Sequence, residues 1–173
     1  AALSGFVFHA SQCQLADYYR NIHLYFLKGR AGSELDSYAK VRADFEALSW
    51  RKDWFHKLYL YFYGNYTHAQ ERQTPAFQRF YAAVRKRFGD RVPQRLRDDF
   101  RRGSLPLMKY ANILTFNTRA IVLYVVLLIG QPWLYFVFEI TVMTIIYLYM
   151  RSRHERLCFQ LYKRLNRYEP ETA

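Results

Sequence analysis

Cysteine is scarce. Cys13 and Cys158 are the only two in 173 residues, and their spacing suggests neither a disulfide framework nor a zinc site. A reducing compartment is the default expectation. The five histidines, His9, His23, His56, His68 and His154, do not cluster. No pair has a metal-ligand partner close in sequence. Glycine-rich phosphate loops, nucleophile elbows and Cys/His catalytic arrangements are all missing. No stretch alternates with strand period and no repeat is visible. There is no secretory signal peptide and no initiator methionine. The chain opens on Ala1-Ala2-Leu3-Ser4-Gly5-Phe6-Val7-Phe8, which reads as the inside of an apolar helix. That start points to a piece of a longer protein, with processing to a mature terminus as the alternative.

Acidic residues are outnumbered. Lys and Arg total 26 against 14 Asp and Glu, a net charge of +12 and a pI of about 9.8. So basic a chain suits a polyanionic neighbour. Aromatic residues reach 19% and charged residues 23%. Two such fractions coexist because the charges avoid certain stretches. Those stretches read as membrane segments, which puts lipid headgroups and phosphorylated substrates ahead of nucleic acid. No nucleic-acid partner is expected.

The most apolar stretch runs from Tyr110 to Met150. Pro132 to Met150 carries one charge, Glu139, and at ~1.5 Å per residue it nearly spans a hydrocarbon core of ~30 Å. The stretch Tyr110 to Ile129 has similar reach. Gly130-Gln131-Pro132 between them is a turn without charge. Arg101, Arg102 and Lys109 precede the pair; Arg151, Arg153 and Arg156 follow it. Positive flanks stay cytoplasmic, so both ends belong inside. Trp133 and Tyr135 suit the outer interface, Tyr147 and Tyr149 the inner one. A buried hairpin in a soluble helical protein is the plainer alternative.

The expected fold is therefore all-α: an integral membrane helical bundle with a C-terminal transmembrane hairpin, one N-terminal membrane helix and a cytoplasmic helical insertion. Four segments follow. Residues 1–27 form the membrane helix that ends a truncated bundle. Residues 28–109 form the amphipathic insertion, 110–150 the hairpin and 151–173 a basic cytoplasmic tail. Within the insertion, Gly29 and Gly32 open a loop. A helix is expected from about Leu35 to Tyr63, stopped by Gly64. A second begins at Thr74 with Pro75 at its first position and stops at Gly89. A third covers Pro93 to Arg102 and ends at Gly103. The localisation expected is a multi-pass inner or plasma membrane protein, soluble parts cytoplasmic, with homodimerisation left open.

Ionisable residues inside a membrane are expensive, which makes them the first candidates for function. Arg119 is a planar donor fork suited to phosphate. With Asn112 and Thr115 it lines a candidate substrate cavity; a snorkelling Arg at headgroup level is the alternative. Asp17, Arg20 and Asn21 share a helix face with His9 and supply a second wall, though Asp17 and Arg20 also suit a local salt bridge. Glu139 is read as a structural hydrogen-bond partner, with pairing to a basic residue of another helix as the alternative. The aromatic run Trp54 to Tyr63 is read as a helix against the membrane surface or another helix. Headgroup contacts are assigned to Arg85, Lys86, Arg101, Arg102, Arg151 and Arg153. No catalytic residue and no metal ligand is assigned within the chain.

Three stretches carry a resemblance: Gln12 to Asn21 (QCQLADYYRN), Gly103 to Tyr110 (GSLPLMKY) and Asn112 to Arg119 (NILTFNTR). Together they resemble the C-terminal half of bacterial CDP-alcohol phosphotransferases. That resemblance implies a six-helix membrane enzyme. It would move a phosphoalcohol group from a CDP-linked donor to an alcohol acceptor in phospholipid or related lipid synthesis, releasing CMP. It also implies magnesium or manganese, held by an Asp-rich motif that this chain lacks. The chain would then supply the last membrane helices and be inactive alone. The rival expectation is a non-catalytic anchor or scaffold that binds anionic lipid or a protein partner through basic amphipathic helices.

Overall fold

The computed structural model describes residues 8–29 and 35–169. These are helical with no strand among them. Leu3, Phe6 and Val7, the expected apolar start, and Gly32 lie outside the described residues.

Helix α1 (Ala10–Lys28) closes at Gly29, whose φ of 77° is a left-handed value that a side chain would strain. Helix α2 (Tyr38–Ala47) starts at Ser37, whose hydroxyl accepts the Lys40 N–H at 3.3 Å. Helix α3 (Trp54–Gln73) follows a turn. The single helix expected over Leu35 to Tyr63 is thus two. Gly64 does not stop α3 but sits buried within it, and a Cβ added there would rest at ordinary van der Waals distance from Val41 and Tyr38 of α2.

Helix α4 (Pro75–Phe88) begins and ends where expected. Its apolar stripe of Phe77, Phe80, Val84 and Phe88 is buried. The free N–H groups of its first turn are met from another helix. Glu155 accepts from Ala76 at 2.7 Å and from Phe77 at 3.4 Å. Helix α5 (Gln94–Ser104) runs past Gly103 instead of ending there. The chain tightens into a 3-10 turn at Leu105–Leu107 and continues as α6 (Met108–Ile113). Thr115 is extended, at φ −81° and ψ 176°, before α7 (Phe116–Leu128). The reversal falls at Gly130, φ 71°, leading into α8 (Trp133–Ile140) and α9 (Val142–Lys163). The tail from Arg151 continues α9, as its pattern suggests.

Two helical runs, Gln94–Leu128 and Trp133–Lys163, are long and apolar enough to cross a membrane. A soluble core helix would pass that length test by being buried. Here only 22% and 17% of the residues in the most apolar windows are buried. Leu128 is 87% exposed and Ile145 67%. Leaving such side chains in water forfeits about 1.5–3 kcal/mol each relative to burial, so this surface suits lipid.

The packed core lies below the hairpin. It joins α1, α4, α5 and the C-terminal half of α9. Phe26 stacks on Phe100 at 4.0 Å, and Phe80 lies parallel to Phe100. Tyr19 stacks on His154 at 3.8 Å. The segment boundaries at 27/28 and 150/151 therefore do not separate packing units. The helices of 75–104 complete one core with α1 and α9.

Candidate functional site

The break before α7 frees backbone carbonyls that lipid could not satisfy. Arg119, one turn into α7, turns back to supply the donors. Its Nη1 donates to the carbonyls of Leu114 and, at 3.3 Å, Thr115. Its Nε faces both carboxylate oxygens of Glu139 on α8 at 3.2 Å. Its Nη2 donates to Gln12 Oε1 on α1 at 2.6 Å. Gln12 Nε2 in turn donates to Thr144 Oγ1 at 3.1 Å and to the Glu139 carbonyl at 3.4 Å. One arginine thus ties α1 to both arms. His9 Nδ1 lies 3.4 Å from Glu139 Oε1, and Cys13 Sγ lies 3.6 Å from the Leu114 carbonyl oxygen.

Beside this cluster, where α1 meets α6 and the start of α7, lies a cavity of about 210 Å³. Its walls include Asp17 and Arg20 from α1 and Asn112 and Thr115 from the break. Four of the six substrate-cavity residues chosen from sequence therefore share one cavity, although they come from two distant segments. Asn21 stands next to it, its Nδ2 3.5 Å from Asp17 Oδ2. Arg119 does not line it. The arginine is 2% exposed, because Glu139, Gln12 and two carbonyls already engage its guanidinium. Asp17 turns to another partner than Arg20; its Oδ2 accepts from Tyr66 Oη at 3.1 Å. Thr115 Oγ1 donates to the Asn112 carbonyl at 2.5 Å.

The cavity can offer hydrogen bonds, one cation and one carboxylate to a polar ligand. It does not suit a divalent metal. Among the described residues Asp17 is its only carboxylate, whereas magnesium sites take several hard oxygens. Among the described residues no group of three or more His, Cys, Asp or Glu side chains could hold a metal ion. These residues therefore support no step through a metal.

The six headgroup candidates are dispersed. Arg101, Arg102 and Arg153 are exposed near the foot of the hairpin. Arg151 is half-buried and donates through Nε to the Gln73 carbonyl at 2.9 Å. Arg85 and Lys86 lie where α4 ends. The adjacent Arg87 donates to Asn166 Oδ1 at 2.7 Å. By the helical rise this end is roughly 20 Å along the α9 axis from the hairpin, because α4 runs beside α9 away from the apolar arms. Arg85 also pairs with Asp90.

Sequence reasoning overlooked Gln12 and Glu155, whose roles depend on partners far along the chain. Gln12 lies off the helix face that carries Asp17 and offered no signal of its own. An acidic residue in so basic a tail was the available hint for Glu155. No protein-family model, no curated protein and no solved structure matches this chain.

Proposed function

We propose that the chain is the C-terminal part of a membrane-embedded transferase that moves a phosphoalcohol group from a CDP-linked donor to an alcohol acceptor. The observation that carries this reading is the convergence of Asp17, Arg20, Asn112 and Thr115 on one cavity at the foot of an apolar hairpin. Arg20 offers a charge-assisted fork for a phosphate and Asn112 a donor and an acceptor for a sugar or base edge. The positive-inside rule places that foot on the cytoplasmic face, where a water-soluble part of a donor arrives. The resemblance of the stretches around 12–21 and 103–119 supplies the reaction class. Metal binding and the base belong, on this reading, to a part of the enzyme beyond this chain.

The test is CMP release from CDP-diacylglycerol, with a panel of alcohols, by membranes carrying the full reading frame. Arg20→Ala and Asn112→Ala should raise the donor KM or lower turnover at unchanged expression. A full reading frame without an Asp-rich motif, or wild-type-like kinetics in both variants, removes the proposal.

A second reading is favoured by a specific feature: the buried arginine is already engaged and no carboxylate cluster stands near the cavity. On that reading the chain is a lipid-binding anchor, and membrane association would persist with no CMP released by any donor.

A further inference from the structure

A second and larger cleft opens where α5, the 3-10 turn and α6 face α9. Its volume is about 510 Å³, within the range of small-ligand sites. Four cationic side chains line it: Arg102 and Lys109 from one wall, Arg153 and Arg156 from the other. Among the described residues no carboxylate contributes to the lining. Among the described residues, the only ion pair formed by any of the four is Arg102 with Asp99, at 3.9 Å. All four are exposed, and like charges gathered on one cleft repel one another until an anion arrives.

The position is as telling as the charge. Lys109 and Tyr110 stand at the foot of the first apolar arm, and Tyr149 and Arg153 at the foot of the second. Tyr110 and Tyr149 pack edge to face at 5.1 Å across the cleft. Lys109 Nζ lies 4.9 Å from the Tyr110 ring centre. The hairpin makes the site. It returns the chain to its starting level and so brings two basic flanks, distant in sequence, to face each other. The result is a cationic cleft with an aromatic edge at the boundary between apolar arms and polar core.

We propose that this cleft binds the phosphate ester of an anionic phospholipid headgroup, with Arg102, Lys109, Arg153 and Arg156 as its ligands. Arginine forks suit the non-bridging oxygens of a phosphate. The two tyrosines mark the level at which an acyl chain would leave along the arms. A soluble phosphate ester has the same recognition chemistry, and the position at the membrane boundary favours the lipid. The inference rests on the membrane assignment alone and stands whether or not the chain belongs to a transferase.

The test uses the whole chain in neutral detergent and follows thermal unfolding. Probes are dioleoyl phosphatidic acid, dioleoyl phosphatidylcholine and inorganic phosphate. Phosphatidic acid should raise the midpoint saturably and phosphatidylcholine should not. Arg153→Gln with Arg156→Gln should weaken that response about tenfold or more. The pair Arg85→Gln with Lys86→Gln removes the same formal charge elsewhere and should change it by less than about twofold. Arg153, Arg156 and Lys86 are exposed, and Arg85 is half-buried in a surface pair with Asp90, so the unliganded midpoints should differ little and report that folding is intact. If inorganic phosphate alone gives the whole effect, the cleft is a phosphate site, its ligand is soluble and the lipid proposal is overturned. Absence of a saturable response to either phosphate probe overturns the proposal as well. So does equal weakening in the two double variants, since diffuse charge would then explain the binding.

Discussion

Arg119 and Glu139 meet at 3.2 Å across the two arms of the hairpin, each side chain 2% exposed. An isolated charge at that depth would be costly in hydrocarbon. The pair cancels net charge, and the arginine's remaining donors satisfy the carbonyls freed at Thr115 and the amide of Gln12. The interaction fixes the register of α7 against α8 and docks α1 on both.

Breaking this pair from one side leaves a buried ion. Arg119→Ala or Glu139→Ala should each destabilise the protein by about 3–5 kcal/mol. The double change Arg119→Leu with Glu139→Leu should cost less than the two single changes added together. Denaturation in detergent micelles checks this. Additive losses would mean that the two side chains act independently.

The exposed apolar surface of the hairpin gives a sharper test of a membrane assignment. Ile145 is 67% exposed. On a water-facing surface Ile145→Lys would change stability by within about 0.5 kcal/mol. Facing lipid just inside the inner interface, it should cost more than that, though less than the about 2.5–3.5 kcal/mol a charge meets at the middle of a span. The fraction of chain that resists alkaline extraction from membranes reads the difference. Unchanged extraction would place Ile145 in water.

Secondary structure near the hairpin was legible because its signals are local. The apolar runs, the Gly130 reversal and the Thr74-Pro75 start each need only a few neighbouring residues. Gly64 and Gly103 misled for the opposite reason. Glycine signals a stop when backbone conformation requires it, but both of these are helical, and at Gly103 it is Leu157 of α9 that leaves no room for a side chain. The cavity was partly legible, since Asp17 and Arg20 share a helix face and Asn112 and Thr115 interrupt an apolar run. Arg119 was correctly singled out as costly. Its partner could not be named, since which of several buried groups it meets depends on how the arms pack.

The ring stack in the core sets another expectation. Phe100 is fully buried and lies 4.0 Å from Phe26, centre to centre. Phe100→Ala should cost about 3–5 kcal/mol, and Phe100→Leu less. Because α5 leads directly into the 3-10 turn and α6, the loss should also loosen the cleft wall carrying Arg102. Protease cleavage within 94–107 in the alanine variant would report it, and full protection would confine the effect to the stack.

The C-terminal end carries a pH-dependent contact. Tyr168 donates to Asp99 Oδ2 at 2.8 Å. Burial, then the neighbouring carboxylate, push its phenol up to about 12, from about 10 in an unfolded chain. The folded state therefore favours the protonated ring. This stabilisation is complete below about pH 10 and is lost as pH rises through about 12. Tyr168→Phe should remove that alkaline slope and leave the profile near neutrality parallel to wild type. An unchanged slope in the variant would assign the alkaline loss to other groups.

Gly103 decides how closely α5 approaches α9. A Cβ built there would collide with Leu157 Cδ1 and lie 2.9 Å from its Cδ2, closer than real contacts come. Leu157 lines the basic cleft with Gly103, so pushing the two helices apart also moves Arg102 away from Arg153 and Arg156. Gly103→Val should destabilise the protein by about 1–3 kcal/mol through overpacking. Gly103→Ala should cost less, because a leucine methyl can swing aside and alanine gains helix propensity. Leu157→Ala in the same chain should recover most of the valine penalty, a coupling that a double-mutant cycle measures. Recovery of stability without recovery of the phosphatidic acid response would show that the cleft needs the helix spacing itself, not merely a folded wall.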